Sequence, residues 1–359
     1  MTFDRYWHTA TVLNDSKVLV AGGWGGEDLI SQSKYELYDP STGNWIDAAD
    51  INARRLDHTA SLLKNGKVLI AGGWYEDDST SQYVIAAAEL YDPTTNVWSV
   101  VDGMHNARAS HTASVLPNGK ILVTGGTDVS GYELTKCELY DPSTAKWSVA
   151  SSMHVPRDEH TATTLSDGKI LVVGAEIDSM PRIAEIYDPL TGNWTMTTFM
   201  NIGRTRHTAT LLKNGQVLVT GGTDDGVDEF TSAELYNPTT DTWINTTSMH
   251  VGRSQHTATL LTNGQVLVTG GNFAGSPGAT AEVYDPPTQT WIIIDVMHDQ
   301  RVSHTASLLA NGKVLVAGGM GDWYNPFSSA ELYDPTTRNW TSSHNTQENL
   351  TVTKDKQLH

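Results

Sequence analysis

Residues 204–222 read RTRHTATLLKNGQVLVTGG, and residues 232–243 read SAELYNPTTDTW. The first stretch holds two short apolar, β-branched runs on either side of Asn214-Gly215. Asn-Gly between two such runs is the strongest short-range hairpin signal, because a two-residue turn of this kind demands positive φ at both central positions. A third run, Ala233–Tyr236, follows the Gly221-Gly222 pair. A proline-fixed turn comes next, and Trp243 opens a fourth run. The stretch predicts a four-stranded antiparallel sheet within a unit of about 50 residues.

The same wording recurs along the whole chain. His-Thr pairs begin at His8, His58, His111, His160, His207, His256 and His304, spaced 50, 53, 49, 47, 49 and 48 residues apart. An arginine stands three residues before each: Arg5, Arg55, Arg108, Arg157, Arg204, Arg253 and Arg301. Asn-Gly or Asp-Gly recurs in six units, and the first has Asn14-Asp15-Ser16 instead. Each unit carries Gly-Gly, apart from Gly174-Ala175 in the fourth, and ends on a tryptophan from Trp45 to Trp340. A period of this length is the mark of a repeat architecture. One such sheet cannot bury both faces, so seven must pack face to face in a closed ring. The expected fold is all-β, a single seven-bladed β-propeller of four-stranded antiparallel blades over residues 1–346. Its blades fall near 5–50, 51–102, 103–152, 153–199, 200–248, 249–296 and 297–346, with a disordered tail at 347–359.

The combination R-x-x-H-T, Gly-Gly, E-L-Y-D-P and a spaced tryptophan resembles the kelch repeat, over roughly residues 5 to 345. The wording from Arg204 to Gly222 is similar to kelch arrays of bacterial secreted proteins and of the galactose oxidase propeller. The resemblance implies that the first strand of each unit is innermost. It also implies that the Gly-Gly ends and the R-x-x-H approaches open on one face, here called the top. In galactose oxidase a copper-ligand histidine with a tyrosine before it occupies the R-x-x-H position. Here the preceding residues are Trp7, Asp57, Ser110, Glu159, Arg206, Gln255 and Ser303, with no tyrosine among them. Cys137 falls in a third strand where other units carry alanine and reads as a small core residue, so copper-radical chemistry is not expected.

Composition narrows the function. The chain has 359 residues, 23 Lys and Arg against 41 Asp and Glu, and a formal net charge of −18. Nucleic-acid binding needs clustered positive charge and is not expected. No apolar run approaches the length of a membrane-spanning helix, and the first 30 residues show no signal-peptide pattern. A native Met1 would mean a cytoplasmic protein and a trimmed chain an extracellular one. A single cysteine excludes an internal disulfide framework. The sequons at Asn14, Asn193, Asn245, Asn339 and Asn349 do not fix localisation.

Seven arginines, seven histidines and seven glutamates (Glu36, Glu89, Glu138, Glu185, Glu234, Glu282 and Glu331) recur in step. Chemistry needed at one place has no reason to recur at seven, so these read as one hydrogen-bonded Arg-His-Glu set at each blade junction. Function is expected where the pattern breaks, in the loops after Gly-Gly. There acids outnumber bases fourteen to three. Such loops would attract cationic ligands or Ca²⁺, and no other cofactor is expected. The four tryptophans outside the repeat, Trp7, Trp24, Trp74 and Trp323, all fall at the expected top, in units 1, 2 and 7. With Tyr75, Tyr83, Tyr324 and Phe327 and the acids Glu27, Asp28, Asp77, Asp78 and Asp322, they form the expected ligand surface. Flat aromatics beside carboxylates suit a carbohydrate or a basic peptide. The reading is a monomeric, non-enzymatic recognition module. The alternative is a carbohydrate-active lyase, epimerase or hydrolase using Asp158, Glu159, Glu176 or Asp178 in unit 4.

Overall fold

The computed structural model describes all residues except 26–29, 32, 48–49, 77–81, 175–181, 225–227, 274, 323–324 and 344–359. In the fifth unit Thr208–Leu211, Val217–Thr220, Ala233–Asn237 and Thr242–Asn245 pair antiparallel in chain order. Six further four-stranded sheets repeat this order, and no α-helix occurs among the described residues. The first strands touch one another all the way round the axis, and Thr9–Val12 of blade 1 touches both Thr59–Leu62 and Thr305–Leu308. The seven-bladed propeller read from the sequence is the fold found.

The hairpin turns differ from the sequence expectation in one respect. Asn65 is absent from the residues at positive φ, while Gly66 stands at φ 84°. The Gly66 N–H donates to the Leu63 carbonyl, and the Leu63 N–H to the Lys67 carbonyl, both near 2.8–2.9 Å. This is a three-residue loop, a type I turn closed by a left-handed bulge residue, and it needs glycine at one position only. Blade 1 fills that position with Ser16 at φ 71°.

Each second strand is wholly buried, as Val217–Thr220 illustrates, because it lies inside its own sheet and between two neighbouring blades. The repeated tryptophan clamps blade to blade. The Trp194 indole N–H donates to the Ser151 carbonyl of the preceding blade at 2.9 Å, and Trp243 reaches Thr198 likewise at 3.0 Å. Each ring also packs on a third-strand tyrosine, with Tyr187 and Trp194 centroids 5.2 Å apart.

The single Arg-His-Glu set expected at each junction is in fact two separate devices. Arginine and glutamate belong to one blade: Arg204 donates from Nη1 to the Gly221 carbonyl at 2.6 Å and from Nη2 to Glu234 at 3.0 Å. Glu234 also accepts the backbone N–H groups of Asn201 and Ile202, so the pair pins the incoming segment to the top of its own sheet. Histidine does the work between blades. His58 Nε2 meets Thr9 Oγ1 at 3.0 Å, His207 meets Thr161 at 2.9 Å, and His8 closes the circle on Thr305 at 2.9 Å. All seven imidazoles are 5–6% exposed. Burial first, then the neighbouring arginine, depresses their pKa values, to about 3 for His111, His207 and His304. They are neutral hydrogen-bonding groups.

Candidate functional site

The residue before each of these histidines is forced into an unusual backbone state. Trp7, Asp57, Ser110, Glu159, Arg206, Gln255 and Ser303 all have φ between 44° and 54°. In this conformation their backbones form a closed circle: Asp57 N–H donates to Trp7 O at 3.1 Å and Ser110 to Asp57 at 3.2 Å, and the series returns through Trp7 N–H to Ser303 O at 3.3 Å. Left-handed backbone costs a non-glycine residue roughly 1 kcal/mol or more, and here the surrounding structure imposes it seven times. The result presents seven side chains of six kinds at the mouth of the central channel, around a well of about 320 Å³ that the seven histidines also line.

Six of the seven pair off around the mouth. Ser110 Oγ donates to Asp57 Oδ2 at 2.9 Å, Arg206 Nε donates to Glu159, and Ser303 Oγ donates to Gln255 Oε1 at 3.2 Å. Trp7 is the odd member. Its indole, 37% exposed, leans on Tyr6 with centroids 4.7 Å apart. Burial raises the Asp57 carboxyl above the usual range, while Ser110 and the Arg206 charge oppose the rise.

Two wider cavities flank the well. One, of about 610 Å³, is lined by the aromatic side chains Trp7, Trp24, Trp74 and Tyr75 and by the polar Asp57, Ser110, Thr127, Asp158 and Glu159 among others. Its aromatic wall stands on short β-ribbons after the Gly-Gly pairs. Trp24–Gly25 pairs with Ile30–Ser31, and Trp74–Glu76 with Gln82–Val84. The Trp24 backbone bridges to Tyr6 and the Trp74 backbone to Leu56, which ties each ribbon to the segment leading into its own first strand. The other cavity, of about 790 Å³, lies over blades 5 to 7 and reaches blade 1, and is lined by Tyr6, Asn272, Ser276, Pro277, Met320 and Asp322 among others.

The structure therefore brings Trp7, Trp24, Trp74 and Tyr75 together with Asp158 and Glu159. Asp322 falls in the other cavity. Tyr83 pairs across its ribbon with Tyr75, ring centroids 6.4 Å apart, and is half exposed without lining the cavity. Phe327 is occupied elsewhere, stacked over the Arg301 guanidinium at 5.6 Å and filling the space beside Gly321. Of the acids considered for chemistry, Asp158 is 8% exposed and Glu159 is held by Arg206. Glu27, Asp28, Asp77, Asp78, Glu176, Asp178, Trp323 and Tyr324 lie outside the described residues. The sequence reading did not single out Asp57, Ser110, Arg206, Gln255 and Ser303 as site residues. Their signal was the second of the two variable positions between constant Arg and constant His-Thr, the one directly before the histidine.

No curated protein sequence matches this chain. Solved structures do. A fungal alcohol oxidase of the AA5 family, in complex with copper, superposes with a TM-score of 0.70 at 20% identity, covering 89% of this chain and 70% of that one. The structure of YjhT superposes with a TM-score of 0.61 at 19% identity, covering 83% of this chain and 96% of that one. At such identities the likeness is one of fold. Copper does not fit the residues at the channel mouth, because every buried histidine spends Nε2 on a threonine hydroxyl and no tyrosine precedes one. Cys137 is 1% exposed in the third strand of blade 3, and burial pushes its thiol up to about 12. Among the described residues no group of three or more His, Cys, Asp or Glu is placed to hold a metal. The repeat itself matches the KLHDC2/KLHL20/DRC7 Kelch-repeats domain over residues 2–175 and again over 159–355, and the chain belongs to that kelch-repeat family.

Proposed function

We propose that the chain is a recognition module, without chemistry of its own, that binds carbohydrate on its top face. The observation that carries this reading is the cavity that Trp7, Trp24, Trp74 and Tyr75 line together with hydroxyl, amide and carboxylate groups. Indole and phenol faces pack against the C–H faces of a sugar ring, and the polar side supplies both donors and acceptors for its hydroxyls. A cationic peptide is a poorer match at the centre. Glu159 is already satisfied by Arg206, and the Asp57 carboxylate is disfavoured by burial. Catalysis has less support, since Glu159 and Asp158 are engaged or buried rather than poised on a ligand.

A glycan array run beside an array of basic peptides tests the reading. Binding to glycans and not to peptides supports it. Peptide binding alone, or turnover of a bound sugar that is lost in Asp158→Asn, overturns it.

A further inference from the structure

The well on the axis and the two flanking cavities are not independent. Trp7, Arg206 and Gln255 line all three. The cavity over blades 1 to 4 thus runs through the channel mouth into the cavity over blades 5 to 7, past a waist made by those three side chains. The volumes are about 610, 320 and 790 Å³. Each alone is within the roughly 300–1,000 Å³ that accommodates one small ligand. A single monosaccharide would leave most of this trough filled with water.

The chemistry along the trough alternates in the way a chain of sugar units would use. One end offers the aromatic wall of Trp24, Trp74 and Tyr75. The waist offers the Trp7 indole, with the Arg206 guanidinium and the Gln255 amide across the mouth from it. The far end offers the Asn272 amide, the Ser276 hydroxyl and the Asp322 carboxylate beside Pro277 and Met320. Asn272 is held by Glu229 through its Nδ2 at 2.9 Å, which leaves its Oδ1 oriented as an acceptor. Apolar surface therefore recurs at both ends and at the waist, with hydrogen-bonding groups beside each.

We infer that the ligand is a linear, neutral oligosaccharide of at least three units lying across the top face through the waist, and not a monosaccharide or a single chain terminus. This rests on the carbohydrate reading above and adds to it the length and path of the ligand. Side chains at the waist then act on every long ligand, whichever end of the trough supplies the tighter contacts.

Isothermal titration of the full chain with gluco-, manno-, galacto- and xylo-configured oligosaccharides of one to six units tests it. For at least one series, affinity should rise about tenfold or more between one and four units and then level off. Gln255→Leu should weaken the tetrasaccharide several-fold while leaving the monosaccharide nearly unchanged. If that variant does not fold, the wild-type length series decides alone. Sugar binding that is independent of length overturns the inference and leaves the carbohydrate reading standing. No binding at any length in any of the four series overturns both.

Discussion

Seven neutral histidines buried around one axis make the protein a proton sink on unfolding, and acid should unfold it over a narrow range. An unfolded histidine titrates near 6.5, whereas in the folded protein the values fall to about 3 for His111, His207 and His304 and well below 6.5 for the other four. The folded pKa lies below the unfolded one, so the stabilisation is complete above pH 6.5 and is lost as pH falls toward 3. Between pH 7 and 5.5 each histidine contributes about 1.2 kcal/mol of loss, and seven contribute roughly 9 kcal/mol. That is comparable with the whole stability of an ordinary domain, about 5–15 kcal/mol. The buried glutamates act in a different window. Burial works to raise Glu138, Glu185 and Glu282, but hydrogen bonds from the incoming segment and the paired arginines hold them below their ordinary value, so they lose stability only below about pH 4.5. Denaturant unfolding followed by circular dichroism at half-unit steps from pH 8 to 4 would show a steep fall beginning near pH 6.5. His207→Gln, which keeps a side-chain hydrogen-bonding group and does not titrate, should reduce the slope by about one proton. Stability that stays flat from pH 7 down to 5 would refute the argument.

Other consequences follow from the same contacts. Arg204→Met leaves Glu234 charged and buried and should cost about 3–5 kcal/mol by denaturant titration. In Gly221→Ala the added Cβ would lie 2.4 Å from the Arg253 carbonyl, so a large loss of melting temperature is expected; Gly43→Ala, with nothing within 4 Å, should cost only about 1–2 kcal/mol for its left-handed backbone. Ser16→Gly restores in blade 1 the residue that other blades use at the bulge, and should raise stability by about 0.5–1 kcal/mol in thermal unfolding.

The fold was legible because its determinants are local and repeated. A turn signal such as Asn214-Gly215 and a glycine pair each recur in six units and a tryptophan at a fixed offset in all seven, so a weak indication in one unit is corrected by the others. What was misread is equally local. Asn-Gly serves two kinds of hairpin loop, and the choice between them is made by the backbone hydrogen bonds from Gly66 N–H to Leu63 and from Leu63 N–H to Lys67, which composition does not encode. Arginine, histidine and glutamate recur in step, but recurrence does not say which of them touch. The split into Arg204–Glu234 within a blade and His207–Thr161 between blades depends on distances. Within the candidate site, Trp24 and Trp74 stood out as large aromatics on loops. Asp57, Ser110 and Gln255 did not, because ordinary polar residues gain meaning only when a shared left-handed backbone gathers them at one mouth. Phe327 looked like the tryptophans in sequence and is occupied by Arg301 and Gly321 in space.

The most direct test of the binding face separates affinity from stability in one pair of variants. Trp74 lines the top cavity and Trp194 clamps blade 4 to blade 3 with 8% exposure. Calorimetric titration with the best glycan and thermal melting would be measured on Trp74→Ala and Trp194→Ala together. The account predicts that Trp74→Ala loses about 1–3 kcal/mol of affinity with little change in melting temperature, as a half-buried binding contact at a cavity wall should. Trp194→Ala should lose about 3–5 kcal/mol of stability, as a buried ring should. A large fall in melting temperature for Trp74→Ala with glycan affinity unchanged would contradict the account, because the aromatic wall would then be part of the core.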